Sequence, residues 1–476
     1  MKDFDFAQID AIINARSIAI VGASNTPGKF GSLLPASQAA MAFTGATYLV
    51  NPHAKEIMGQ PAYPDLASLP EVPDLVYITI PAHRAMPVLH ECADVGGRGA
   101  VKAVVIIASG FREAGEEGLR LEEEAAGLAR RGGFRILGPN CFGIYNPRNH
   151  LTLLPGYDLS TVPGDIAFIS QSGGFAAHVA RLGKSLGLRF SAVVSYGNGG
   201  DLDEADLLRY FAADPQTAII SGYLEGTRDG LALRKALCAA AAAKPLVIWK
   251  VGKTESSRRA VASHTGSLAG SAEIWEALLR QSGAISASGI DEVADIIMAL
   301  KLVGRHPGKR LLISGGGGGL GTYAADLAAE EGLEVPLPAA ETLNRMQEAL
   351  VRAGAAPGNP LDIGAPLIPL NEFEGAMRAA ARDPATDLFL FDLATNFAYG
   401  LAGEPGLHLA ADTLIKIREE SSKPLVMVLY SRDCDAADLT QERLVRELRD
   451  KFLAAGIPVY PSMPRALRAL ARINQL

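Results

Sequence analysis

Short apolar runs alternate with longer amphipathic stretches over almost the whole chain. Ser17–Val21, Tyr48–Val50, Leu75–Ile80, Val101–Ala108 and Phe134–Leu137 are apolar runs of strand length. Stretches with helical spacing, such as Glu116–Arg131, lie between them. The rhythm returns at Ile166–Ile169, Ser191–Val194, Ala218–Leu224 and Leu246–Val251. It returns again at Arg310–Ile313, Leu388–Leu393, Leu425–Tyr430 and Ile457–Tyr460, and Arg465–Ile473 reads as a closing helix. Strands alternating with helices predict doubly wound parallel sheets, so the expected fold class is α/β. Turn-rich breaks at Tyr145–Pro163 and at His306-Pro307-Gly308 suggest three domains, 1–148, 149–304 and 305–476.

In open α/β sheets, ligands bind beyond the carboxyl ends of the strands. The first strand is followed by GASNTPGKFG, with Gly22, Gly28 and Gly31. This is not the G-x-G-x-x-G of dinucleotide folds, and the second strand ends in Asn51-Pro52-His53, with Lys55 close by, instead of the acid that binds a free ribose. A cation there suits a phosphorylated ribose, and coenzyme A, with its 3′-phosphate and pyrophosphate, fits. A glycine turn that only joins strand to helix is the plainer alternative. Leu137-Gly138-Pro139-Asn140-Cys141-Phe142-Gly143 forms a rigid turn, and Cys141 reads as a small packed residue, because no local partner activates it.

The second group of runs carries three candidate features. Ser170-Gln171-Ser172-Gly173-Gly174 follows a strand and precedes a helical stretch, which offers backbone N–H groups to an anion or serves only as a cap. Glu225 follows the strand Ala218–Leu224, as a site carboxylate or a solvated loop acid. From Lys250 to Ser271 a strand gives way to small and polar residues around His264, which predicts a loop that exposes the imidazole. A neutral imidazole nitrogen is a nucleophile and titrates near neutrality, although a lone surface histidine is common. In the last third, five consecutive glycines, Gly315 to Gly319, follow a strand. Their entropic cost argues for close backbone approach to a ligand, with Gly316, Gly317 and Gly318 presenting N–H donors. Asn359-Pro360-Leu361-Asp362 adds a turn with a carboxylate.

Composition narrows the classes. At 476 residues about three domains are expected. With 48% hydrophobic and 20% charged residues, large cores form readily. A net charge of −7 without a Lys/Arg tract argues against nucleic-acid and anionic-membrane partners. Cys92, Cys141, Cys238 and Cys434 are far apart and form no CxxC pair, so no zinc ribbon or dithiol site is expected. The N-terminal stretch lacks the form of a signal peptide and no run of 18 apolar residues occurs, so a cytoplasmic setting is the expectation.

The ordered motifs VGASNTPGKFG, LGPNCFGIYNP, ISQSGGF, DPQTAIISGYLEG, SRRAVASHTGSLAGS, SGGGGGLG and NPLDIG resemble the nucleoside-diphosphate-forming acyl-CoA synthetases, the superfamily of succinyl-CoA synthetase, over nearly all residues. The resemblance implies a Rossmann-like CoA-binding domain followed by two flavodoxin-like ligase domains. It implies that His264 becomes phosphorylated and that Glu225 orients it. Ser170, Gln171, Ser172, Gly173 and Gly174, with Gly316, Gly317 and Gly318, match the helix starts that stabilise the phosphohistidine. Gly22, Ser24, Lys29, Asn51, Pro52, Lys55 and Asn140 fall in or near the CoA-binding turns. No metal ligand is implied on this chain. Members that act alone also carry an ATP-grasp domain, for which no stretch of this sequence is a candidate. The resemblance therefore implies an ATP-grasp beta-type partner holding ADP or ATP with Mg²⁺, a carboxylic acid substrate, and a homodimer or a heterotetramer with the partner. Competing readings are a nicotinamide-linked dehydrogenase, opposed by the missing fingerprint, and a non-catalytic CoA-binding regulator, opposed by His264 and Glu225 together.

Overall fold

The computed structural model describes residues 4–265, 270–351, 355–363, 370–430 and 439–475. The chain forms two compact units, Met1–Val293 and Ala294–Leu476. Among the described residues the first unit contains two sheets and the second contains one.

The first sheet comprises β1 (Ser17–Val21), β2 (Ala46–Val50), β3 (Glu56–Ile57), β4 (Gln60–Tyr63), β5 (Leu75–Ile78), β6 (Ala103–Ile106) and β7 (Arg135–Leu137). Their order is β3-β4-β2-β1-β5-β6-β7. All pairings are parallel except the β3–β4 hairpin. Every residue of β1, β5 and β6 is buried. A parallel strand covered by helices on both faces is apolar throughout, which is why these segments read as unbroken apolar runs. The helix Glu116–Gly132 between β6 and β7 has Glu116 and Glu117 in its first turn and Arg130 and Arg131 in its last, each charge set against the opposite end of the helix dipole. Gly133 ends it in the left-handed region, φ 77°.

The second sheet comprises β8 (Gly143–Tyr145), β9 (Ile166–Ser170), β10 (Phe190–Ser195), β11 (Ile219–Leu224), β12 (Leu246–Lys250) and β13 (Ile285–Ala287), in the order β13-β12-β11-β9-β10-β8. Only β8 is antiparallel, along β10. The sheet's direction of growth reverses at β9, which lies between β10 and β11. One hydrophobic cluster runs through both sheets of this unit, from Ile18, Tyr77 and Leu137 to Ile169, Val194 and Ile248. Arg135 on β7 reaches Asp201 at 2.8 Å and Asp206 at 3.1 Å, and both carboxylates are buried.

The second unit contains β14 (Leu311–Gly315), β15 (Leu361–Asp362), β16 (Leu388–Asp392), β17 (Leu425–Val428) and β18 (Val459–Tyr460), all parallel, in the order β15-β14-β16-β17-β18. The division from the first unit falls inside the helix Ile290–Leu302, and within the second unit Asp295 on that helix pairs with Arg465 at 2.6 and 2.8 Å. No helix among the described residues is long and apolar enough to cross a membrane.

Candidate active site

The chain leaves β1 through Gly22 at φ 90°, where a side chain would strike Ile80 and Thr79 at 2.5 and 2.8 Å. The next helix, Phe30–Ala40, has Pro35 inside it. Proline has no N–H, so the carbonyl of Gly31, four residues earlier, loses its helical donor. That carbonyl accepts the Ser24 N–H at 2.9 Å instead and closes the turn. A Cβ on Gly31 would lie 2.0 Å from Gly22 O. Asn51, just past β2, donates from Nδ2 to Ala23 O and accepts the His53 N–H, each at 2.8 Å. The glycine turn and Asn51-Pro52-His53 thus form one polar frame.

This frame walls a cavity of about 650 Å³ at the carboxyl ends of β1, β2 and β5, with Gly22, Ser24, Lys29, Asn51, Pro52 and Arg84 in its lining. The size suits a cofactor-length ligand, and the lining sets Lys29 and Arg84 beside Asp65 and Glu91. Arg84 sits in the short turn Ala82–Arg84 and carries no glycine signature that a sequence would reveal. Lys55 and Asn140 do not line the cavity. The Lys55 carbonyl accepts the Ala62 N–H at 3.0 Å in the β3–β4 hairpin. Asn140 packs on Gly197 instead, close enough that a Cβ there would come 2.4 Å from Asn140 O. The Cys141 thiol is buried and burial pushes its pKa up to about 12, in keeping with a packed residue and not a nucleophile.

At the reversal point of the second sheet, the turn after β9 is largely occupied with its own bonds. Ser170 Oγ donates to Ser172 O at 2.7 Å and accepts the Ser172 N–H at 3.1 Å. Ser172 caps the helix Gly173–Leu186 by accepting the Phe175 N–H. Gly173 has no room for a side chain, because the Phe142 ring lies 2.5 Å from where its Cβ would be. Gln171 turns toward β11: its Oε1 accepts the N–H groups of Glu225 and Gly226. Glu225 is 3% exposed, and its Oε1 accepts the Tyr223 hydroxyl at 3.1 Å. The buried ammonium of Lys250, in register with Leu224, donates to Glu225 O at 2.9 Å and to Val251 O, and lies 4.7 Å from the Trp275 ring centroid. Burial pulls its pKa down to about 8.

The stretch after β12 departs from the expected loop. Glu255–Thr265 is an α-helix, and its backbone includes His264. The cause is local. Thr254 and Ser257 cap the helix start reciprocally, with Thr254 N–H to Ser257 Oγ at 3.0 Å and Ser257 N–H to Thr254 Oγ1 at 3.2 Å. Glu255 and Arg259 pair one turn apart at 2.8 Å. Both signals stand in TESSRR, ahead of the small residues that suggest a loop. The His264 side chain lies outside the described residues. The helix packs on the turn Arg112–Ala114. There Glu113 accepts Asn198 Nδ2 at 2.6 Å, and Asn198 also donates to buried Glu122 at 3.0 Å. Glu122 pairs with Arg228, just past Glu225, so a polar network runs from beneath the histidine helix to the Glu225 turn. It borders a cavity of about 560 Å³ lined in part by Glu122, Asp203 and Arg228.

In the second unit, β14 ends at Gly315 and the helix Gly318–Glu330 begins after Gly317, φ 117°. Gly315 is in register with Asp362 on β15 and Asp392 on β16. In-register residues of parallel strands share a face, so two carboxylates flank a position without a side chain. Asp362 Oδ2 lies 3.2 Å from where a Gly318 Cβ would be. Asp392 is 1% exposed, and burial pushes its pKa up to about 6.

Comparison with known proteins places these features in context. Residues 16–147 match a CoA binding domain, and residues 163–300 match a succinyl-CoA ligase like flavodoxin domain. The chain is 34% identical over 483 residues to the ADP-forming acetate–CoA ligase I subunit alpha of Pyrococcus furiosus, covering 98% of this chain and 97% of that one. It is 35% identical to subunit alpha of acetate–CoA ligase II of the same organism, covering 95% and 94%. Among solved structures it is similar to the dinucleotide-forming acetyl-coenzyme A synthetase 1 of Ca. Korarchaeum cryptofilum in complex with phosphate and ADP. That match has TM-score 0.83 and 30% identity, and covers 98% of this chain and 96% of that chain.

Proposed function

The chain belongs to the ADP-forming acyl-CoA synthetases, ligases, in the arrangement of their alpha-type subunits, and from that premise we propose that His264 carries phosphate between an acyl phosphate and ADP. The observation that supports this most is the buried Glu225 at the reversal point of the second sheet, linked through Gln171 to the helix start of ISQSGGF. A carboxylate there fixes the tautomer of an approaching imidazole and leaves the other ring nitrogen free to attack.

In the direction of ATP formation, a phosphate oxygen attacks the thioester carbonyl. The C–S bond breaks, and CoA leaves as its thiol after taking up a proton. The His264 nitrogen then attacks the phosphorus of the acyl phosphate. The P–O bond to the acyl group breaks and a carboxylate departs. Finally a terminal oxygen of ADP attacks the same phosphorus, the N–P bond breaks and the imidazole is restored. The chain's own contribution is positioning and charge stabilisation, as in other phosphoryl transfers. Lys29, Arg84 and the glycine frame hold the phosphates of CoA, and the N–H groups at Gly173 and Gly174 face phosphate borne on His264.

The subunit naming of the relatives implies a separate beta subunit, and in this reading that subunit is the ATP-grasp chain that holds the nucleotide and Mg²⁺. Acetate is the first acid to test, because those relatives are named for it. Gly316, Gly317 and Gly318 stay in the proposal as ligand-facing positions, and Lys55 and Asn140, which stand outside the cavity lining, are tested by substitution beside them.

The deciding experiment incubates the chain with acetyl-CoA and ³²P-phosphate and looks for acid-labile label. Label that maps to His264 and is lost in His264→Asn and Glu225→Gln supports the reading. Equal labelling of His264→Asn refutes it. CoA binding without any phosphoryl uptake from acetyl-CoA or other acyl-CoAs, with the partner supplied, supports the non-catalytic regulator instead.

A further inference from the structure

The second unit contains a polar cluster that plays no part in the reaction above. The helix Thr395–Glu420 breaks at Gly403, φ 62°, and resumes with Glu404 and Pro405. Residues four apart on a helix share a side, so Glu404 and His408 lie one above the other. The helix Thr440–Ala454 packs alongside, with Leu407, Ala411, Leu444 and Leu448 in one buried cluster, and brings up Glu447. His408 Nε2 is 4.0 Å from Glu404 Oε1 and 3.9 Å from Glu447 Oε2. One donor atom from each of the three residues lies within 4.8 Å of the others.

One turn further along both helices, Asp412 pairs with Lys451 at 2.7 Å, and acid and base balance there. At the His408 level two carboxylates face one imidazole, so that level stays negative whether the ring is protonated or neutral. Among the described residues each glutamate has His408 as its ion-pair partner. We propose that Glu404, His408 and Glu447 form a divalent transition-metal site that clamps the two helices together.

One imidazole nitrogen with two carboxylate oxygens suits Zn²⁺ and its neighbours, whereas Mg²⁺ and Ca²⁺ prefer oxygen alone. A tetrahedral ion about 2.0–2.1 Å from each donor sets the donors roughly 3.3 Å apart, leaving a fourth position for water. The separations of 4.0 and 3.9 Å to His408 are longer, and the half-exposed glutamates have the freedom to close that gap by side-chain rotation. The buried leucines beneath hold both helices in place without the ion, so only side chains need to move on binding, and substitutions at the three exposed or half-exposed ligands spare the core.

The test uses the full chain, stripped with EDTA and titrated with Zn²⁺ by calorimetry beside His408→Ala and Glu447→Gln. Wild type should bind one Zn²⁺ more than either variant, or bind it roughly tenfold or more tightly. Hydrogen exchange in Thr440–Ala454 should slow on adding Zn²⁺ in wild type alone, and millimolar Mg²⁺ should not reproduce the effect. Equal Zn²⁺ stoichiometry and affinity in wild type and both variants would overturn the proposal, as would a His408 ring signal in NMR that ignores Zn²⁺. The Glu447→Gln arm keeps the outcome readable if His408→Ala loses stability. None of these readouts involves phosphoryl transfer, so the result is independent of the activity proposed above.

Discussion

Replacing Asp392 by asparagine should stabilise the second unit, and only above the pH at which the carboxyl ionises. Asp392 ends β16, the strand beside the glycine turn, and is 1% exposed. Its Oδ1 accepts the Ala394 N–H at 2.8 Å. Its Oδ2 is buried and has no hydrogen-bond partner among the described residues. Burial raises the carboxyl's pKa from 3.8 to about 6. Between those values the folded form holds a proton that the unfolded form has lost, so stability falls as pH rises through this window and stays reduced above it. Two pKa units correspond to about 3 kcal/mol. At about pH 4 the protonated acid and the amide have nearly the same shape, and the amide leaves two N–H donors unpaired against one O–H, so Asp392→Asn should be no more stable than wild type. At about pH 7.5 the variant keeps the bond to Ala394 without a buried charge and gains up to about 3 kcal/mol. With a urea dependence of about 2–3 kcal/mol per molar, the midpoint should rise by about 1 M. A chain of two compact units does not unfold in one step. The readout is therefore pulsed hydrogen exchange on peptides from Leu388–Val428 along a urea series at both pH values. Equal midpoints at both pH values, or a variant less stable at the higher one, would refute the reasoning.

Three further predictions concern the first unit. Gly31→Ala places a Cβ 2.0 Å from Gly22 O, so it should break the turn that Ser24 closes and weaken CoA binding at least tenfold by calorimetry, about 1.4 kcal/mol or more; an unchanged affinity would mean that the turn does not hold the ligand. Arg135→Ala leaves Asp201 and Asp206 buried without their cation and should cost about 3–5 kcal/mol, seen as a marked drop in the thermal midpoint of the first unit. Lys250 has its pKa lowered by burial from 10.5 to about 8, so its charge burdens the fold below pH 8 and the burden lifts as pH approaches 10.5. The stability of wild type relative to Lys250→Met should accordingly rise across that window, and parallel curves would show that the ammonium is solvated.

The strands were legible because a parallel strand covered on both faces must be apolar along its length. β1, β5, β9, β11, β14 and β16 lie within a residue or two of the runs that predicted them. The glycine turn after β1 was legible for a different reason: Gly22 and Gly31 stand where no side chain fits, and that constraint appears in the sequence as glycine. The helix bearing His264 was missed because Ser, Thr and Gly near a histidine suggest a loop, while the Thr254–Ser257 cap depends on one reciprocal pair of bonds. Nearness in sequence to Asn51 does not bring Lys55 into the cavity lining, because its backbone pairs with Ala62 beside the β3–β4 hairpin.

What the sequence could not supply is the set of contacts that close a long excursion. Lys250 and Trp275 stand at opposite ends of the stretch containing His264, yet the ammonium lies 4.7 Å from the indole centroid. The same ammonium bonds Glu225 O at 2.9 Å, and Gln171 bonds the Glu225 N–H from the other side. Gly270, at φ 73°, has no side chain where the Trp275 Nε1 would be met at 3.0 Å. Both ends of the excursion are therefore tied to the strand end that carries Glu225. A chain returning to its starting point confines a helix between the two ties far more than a free loop of equal length. On the reading proposed above, Lys250 and Trp275 set the range over which His264 reaches Glu225, without bonding phosphorus themselves. Neither has a motif of its own: a lysine ending an apolar strand and a tryptophan in a helix are ordinary until the fold brings them together.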